Sequence, residues 1–148
     1  MTTIAMSRTQ IAADRQATHS GGLKFKIKSK IFSFYNEAFY RTTFHVALAG
    51  NIDTFHDVLE FFRDHASYKK VPQLKGGEGV ILTEDGKLWT FNNPALWLSI
   101  DQPTYAIGSG MNFAMGAMAA GASPYEAVKY ACTLDPQSGM GITKINIE

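Results

Sequence analysis

The chain has 148 residues, of which 45% are hydrophobic and 18% charged, with a formal net charge of +1. That length fits a single domain over residues 1–148 that buries roughly 68–70% of its unfolded surface, and the near-neutral balance argues against nucleic acid or another polyanion as partner. One cysteine, Cys132, excludes an internal disulfide framework and a cysteine zinc site, and suits a reducing, cytoplasmic compartment.

Residues 2–7 (TTIAMS) read as a strand, and IAADRQAT follows a short turn around Thr9 and Gln10, a hairpin signal. The N-terminal stretch lacks the basic-then-apolar order of a secretion signal. After the loop His19–Gly22, KFKIKSKIFSFYN alternates, but its parity changes meaning partway. Lys24, Lys26 and Lys28 oppose Phe25 and Ile27, whereas Phe32 and Phe34 fall on the face that Lys30 shares. We therefore expect an edge segment up to about Lys28 and a core strand from about Ser29, with Lys30 pointing inward beside Phe32 and Phe34.

Residues 39–49 form the next strand, which ends in the small-residue turn AGN. Asn51 is a suitable N-cap for a helix over 52–66, and Phe55, Val58, Leu59 and Phe62 supply its apolar stripe. A Gly-rich loop over 75–79 leads to the hairpin GVILTEDGKLWTF, with EDGK as its turn. Pro94 and Pro103 bracket a stretch expected to be irregular, and YAIGSG is a short strand. Two helices follow. MNFAMGAMAAGA is rich in Ala and Gly, which permits close approach to a sheet, and Gly121 ends it. Ser123–Pro124 starts the second helix, with Glu126 at capping-box spacing, and this helix runs to about Leu134. DPQSGMG is a loop and ITKINI the last strand. Hairpin strands with segregated helices indicate α+β. The most apolar stretch, residues 111–122, is too short for a membrane, which needs about 20 residues.

Several constellations carry little chemistry. The four histidines are scattered without metal-ligand spacing, and His45 reads as a strand residue with a satisfied hydrogen bond. GSGMNF lacks the third glycine of a dinucleotide loop and any P-loop lysine. KFKIKSK interleaves lysine with aromatic residues, but balancing acids elsewhere favour a solvated edge. Trp89 and Trp97 read as packing anchors.

Taken in order, TTIA, AADRQAT, the inward lysine of SKIFSF, AIGSG before a helix and DPQSGMG before the last strand form a pattern. It resembles the β-subunits of the proteasome and their bacterial relative, the HslV peptidase, over nearly the whole chain. The segment 105–131 is most similar to HslV, and the loop from Asp135 to Gly139 to the proteasome β-subunits. The resemblance implies a four-layer αββα sandwich of two antiparallel sheets, the Ntn-hydrolase fold. It also implies an N-terminal threonine hydrolase that needs no cofactor or metal. Thr2, exposed by removal of Met1, matches the nucleophile, and its own α-amine the base. Such an amine has a pKa of about 7.7–8.0 and needs little tuning. Lys30 matches the family's lysine, whose charge disfavours protonation of that amine and favours an anionic threonine oxygen. Asp14 matches the carboxylate that holds the lysine. Ser109, Asp135 and Ser138 match the group around the amine, and the Gly50 N–H is the candidate oxyanion donor.

Taken singly, each of these residues has a plainer reading. A Thr-Thr start means only a small second residue, and Asp14 suits a hairpin arm. Lys30 could be the last of four surface lysines. Ser109 suits any tight turn, Asp135–Pro136 terminates a helix, and Gly50 serves a backbone with positive φ. The joint occurrence favours the catalytic set. The resemblance further implies peptide or unfolded-protein substrates, a homo-oligomeric ring and an ATP-dependent unfoldase partner. A catalytically inactive scaffold or assembly protein is the alternative. One departure stands out: the family carries a long helical hairpin after the strand ending near Gly50. Here one helix and a short loop fill that span, so the first helical layer is expected to be shortened.

Overall fold

Opening the chain, apolar residues alternate along β1 (Thr3–Ser7), which folds back on β2 (Gln10–Asp14) through Arg8 and Thr9. The computed structural model describes residues 2–18, 21–36, 40–63, 74, 76–93 and 96–147. Further strands are β3 (Gln16–Thr18), β4 (Lys24–Lys26), β5 (Ile31–Asn36), β6 (Tyr40–Ala49), β7 (Glu78–Thr83), β8 (Leu88–Asn93), β9 (Leu96–Ile100), β10 (Thr104–Gly108) and β11 (Ile142–Asn146). The helices are α1 (Phe55–Arg63), α2 (Met111–Ala119) and α3 (Pro124–Leu134). Two antiparallel sheets, β10-β1-β2-β11 and β5-β6-β7-β8-β9, carry the fold, and β3-β4 forms a separate ribbon.

Strand period 2 explains how these sheets stack. Ile4, Met6, Ile11 and Ala13 of the first sheet meet Ile31, Ala47, Val80 and Leu82 of the second in one core. On the outer face of the first sheet, Ala5, Ala12 and Ala106 pack with Ala114, Ala127 and Val128 of α2 and α3. Alanines at these positions let the helices sit close. The outer face of the second sheet is aromatic instead. Phe44, Val46, Leu48 and Phe91 enclose Val58 and Phe62 of α1. Phe62 stacks within 6.2 Å of Phe34 and 5.5 Å of Phe91, and Trp89 and Trp97 pack against the same cluster, as packing anchors should. The result is the α+β, four-layer αββα arrangement, in which the described residues place α1 on one side and α2 and α3 on the other.

Local signals set most boundaries. The Ser123 hydroxyl accepts from Glu126 N while the Glu126 carboxylate accepts from Ser123 N, a complete capping box. Asn51 Oδ1 accepts from Asp53 N at 3.0 Å, but the turn it caps, Ile52–Thr54, is 3-10 before α1 begins. The end expected near Ala66 lies outside the described residues, as do the segment that would hold a second helix, Phe39, His19 and Ser20. His45 is satisfied as expected: Ser33 Oγ lies 2.7 Å from Nδ1 and Glu84 Oε1 2.9 Å from Nε2.

Three expectations need correction. The stretch before Pro103 is not irregular: Leu96–Ile100 is an edge strand paired with β8. An edge needs no partner on its outer side, and Pro103 lies beyond its end. The turn of the first hairpin sits at Arg8–Thr9, with Gln10 already paired to Asn146. Lys30 is buried, 4% exposed, but it does not share a side with Phe34. Ile31 N donates to Ser29 Oγ at 3.0 Å, and this local bend resets the parity before β5 begins. Phe34 packs with the α1 cluster, whereas Lys30 reaches across to the first sheet.

Candidate active site

Asp14 ends β2, where the chain must leave the first sheet to form the ribbon with β4, and it is fully buried. A buried carboxylate has to be saturated with donors. Its Oδ1 accepts from Lys30 Nζ at 2.7 Å, from Thr3 N at 3.1 Å and from the Thr2 hydroxyl at 3.1 Å. Its Oδ2 accepts from Gly139 N at 3.0 Å and Gln16 N at 3.3 Å. Lys30 also donates to Thr2 Oγ1. The threonine hydroxyl therefore lies between an ammonium and a carboxylate, all three buried. Burial pushes the Lys30 ammonium below its ordinary pKa, and attraction to Asp14 opposes that shift without cancelling it.

A second network surrounds the first. Ser109, just past β10, places its Oγ 2.6 Å from Asp135 Oδ2 and 3.3 Å from the Thr2 carbonyl oxygen. Ser138 Oγ donates to the same Asp135 oxygen at 2.7 Å, so it accepts from Thr3 Oγ1, also 2.7 Å away. Burial raises the Asp135 carboxyl, but hydrogen bonds from Ser109, Ser138 and Gln137 N outweigh it and hold the group below the usual carboxylate range. The loop from Asp135 thus joins both networks, through Ser138 to Thr3 and through Gly139 N to Asp14.

Glycines make this closeness feasible. Gly108 has φ +95, and a Cβ there would lie 2.0 Å from the Thr2 carbonyl oxygen. A Cβ on Gly110 would lie 2.0 Å from Thr3 Oγ1. Gly50, φ +126, packs its Cα against Gly77, where a Cβ would come within 2.6 Å. The plain reading of Gly50 as a backbone requirement therefore holds, and Gly50 also lines the same cleft as Thr2 and Lys30, about 520 Å³ in volume.

All seven residues singled out from sequence thus lie around one locus: Thr2, Asp14, Lys30, Ser109, Asp135 and Ser138 by hydrogen bonds, and Gly50 by sharing the cleft. Sequence reasoning missed Thr3, whose backbone N–H and hydroxyl tie Asp14 to Ser138. Its only signal was the doubled threonine. It also missed Gln16, which is buried and donates through Nε2 to Pro136 O at 3.1 Å.

No protein-family model matches the chain, and no curated protein matches it in sequence. Solved structures do resemble it. BPH from Thiobacillus denitrificans in complex with epoxomicin superposes with a TM-score of 0.70 at 19% identity, over 99% of this chain and 97% of that one. Eukaryotic HslV from Trypanosoma brucei gives 0.68 at 16%, over 99% of each. A structure described as the helical assembly of the Anbu complex from Pseudomonas aeruginosa gives 0.70 at 12%, over 99% and 81%. The fold is therefore the one seen in the HslV and Anbu structures, the αββα sandwich of two antiparallel sheets. None of the helices among the described residues is long and apolar enough to cross a membrane.

Proposed function

We propose that this chain is a threonine-type endopeptidase that hydrolyses peptide bonds with Thr2 once Met1 has been removed. The observation that carries the reading is the buried Thr2–Lys30–Asp14 cluster at the cleft. Thr2 Oγ attacks a peptide carbonyl and passes its proton to its own α-amine, forming a tetrahedral intermediate. Lys30 keeps positive charge beside that oxygen, and its charge disfavours protonation of the neighbouring amine. The Gly50 N–H is the donor for the developing oxyanion, a contribution typically worth about 2.7–4 kcal/mol. Collapse transfers the proton to the departing amine and leaves an ester on Thr2. Water, deprotonated by the same α-amine, then releases the acid. Asp135, with Ser109 and Ser138, orients the threonine end and offers a proton path.

Peptides or unfolded proteins are the substrates, reached inside a homo-oligomeric ring fed by an ATP-dependent unfoldase. The helical assembly described for the Anbu complex supports self-association. Cleavage of an unfolded protein such as reduced casein tests the reading. The chain beginning at Thr2 should cleave it and Thr2→Ala should not. Equal cleavage by both proteins would refute it.

A further inference from the structure

Resting on the peptidase reading above, we propose that the cleft beside Thr2 selects a lysine or arginine side chain at the residue whose carbonyl is attacked. Among the described residues that line the cleft, two carry charge, Lys30 and Asp53. Lys30 is already matched: it lies 2.7 Å from Asp14 and donates to Thr2. Asp53 is not. Its backbone N–H is held by Asn51, but its carboxylate makes no hydrogen bond or ion pair with any described residue. Among the described side chains that line the cleft, the charge left without a partner is therefore the Asp53 carboxylate.

Phe25, Ile52 and Phe55 give the cleft its apolar wall, beside the polar side chains of Gln16, Thr18, Asn51 and Gln137. Phe25 and Ile52 are 39% and 40% exposed. A long methylene stem ending in a cation fits this pattern, because the stem covers the apolar wall and the head reaches the acid. A leucine would gain the first contact alone, and an aspartate would face like charge. Lys24 and Lys26 are not among the described residues that line the cleft. Lys24 donates to Pro136 O at 2.9 Å and Lys26 lies beside Gly141, while Phe25 between them is the residue of β4 that lines the cleft.

Three peptide epoxyketones that differ only at the first position (arginine, leucine or aspartate) test this on the full oligomer by the rate of adduct formation. Arginine should react fastest, and Asp53→Asn should slow it about two- to fivefold, the size of an ion pair at an exposed carboxylate, while leaving leucine unchanged. Asp53→Lys should make aspartate the best of the three. Adducts that form at equal rates, or fastest with leucine or aspartate in the unaltered protein, overturn the preference while the peptidase reading stands. No adduct with any of the three overturns both.

Discussion

Lys30 Nζ lies 2.7 Å from Asp14 Oδ1, and both side chains are cut off from water. A buried pair of this kind is costly to assemble but far costlier to break on one side, because the surviving charge is stranded. Asp14→Ala should therefore lower unfolding free energy by about 3–5 kcal/mol, and Lys30→Met by less, since Asp14 keeps four other donors. The double variant should recover part of the loss of Asp14→Ala. Denaturant midpoints at constant m-value measure all three.

Thr2→Ala removes the proposed nucleophile while leaving Thr3, the residue that bridges the two networks. Peptide hydrolysis should fall on the order of 10⁶-fold, as on loss of a hydrolase nucleophile, while stability falls only by about 1–3 kcal/mol, because Asp14 and Lys30 each lose one buried hydrogen-bond partner. Thr2→Ser should retain measurable turnover, because it keeps both the hydroxyl and the amine.

Much of this site is legible in the sequence, although not always for the right reason. Lys30 was expected inside from strand parity, and it is inside. Yet the parity fails at the Ser29–Ile31 bend, which puts Lys30 and Phe34 on opposite sides of the sheet. Side chain-to-backbone hydrogen bonds of that kind leave no periodic trace. Capping signals were more reliable, since Ser123 and Glu126 act within four residues and need no tertiary context. Strand β9 was hidden because an edge strand flanked by proline looks like loop. Thr3 was missed because its role depends on Ser138, a contact that no local pattern encodes.

Alkaline pH tests the charge on Lys30. Burial lowers its pKa below the ordinary 10.5, so between the lowered value and 10.5 the unfolded chain holds more protons than the folded one. Across that window Lys30 makes stability rise with pH, and the contribution is lost as pH falls through the lowered value. Comparing the pH dependence of unfolding for the native protein and Lys30→Met should show that rise only in the former. Peptidase activity should fall over the same window, because the ammonium is lost.

Asp135 gives the opposite limb. Its carboxyl is held low by Ser109 and Ser138, so its stabilising contribution is present above the unfolded pKa and lost as pH drops through the lowered value. Ser109→Ala removes one of the two hydroxyl donors and should raise that carboxyl, moving the acid unfolding midpoint to higher pH. Circular dichroism along an acid titration measures the shift.

Gly110→Ala probes the support for Thr3 without touching any charged group. The added methyl would meet Thr3 Oγ1 and the Ala131 side chain, an overpacking that typically costs about 1–3 kcal/mol. Activity should fall along with stability. Gly116→Ala, where a Cβ meets nothing within 4 Å, should leave both intact.

The proposed hydrolysis depends on a free amine and a hydroxyl belonging to one residue, Thr2, just before β1. A peptide epoxyketone consumes both groups, so intact-mass spectrometry followed by peptide mapping of the treated protein examines the claim most directly. The account expects one inhibitor per chain, on a terminal peptide that begins with Thr2 and is absent from Thr2→Ala. A chain that begins with Thr2 and stays unmodified, or carries the adduct elsewhere, would contradict it.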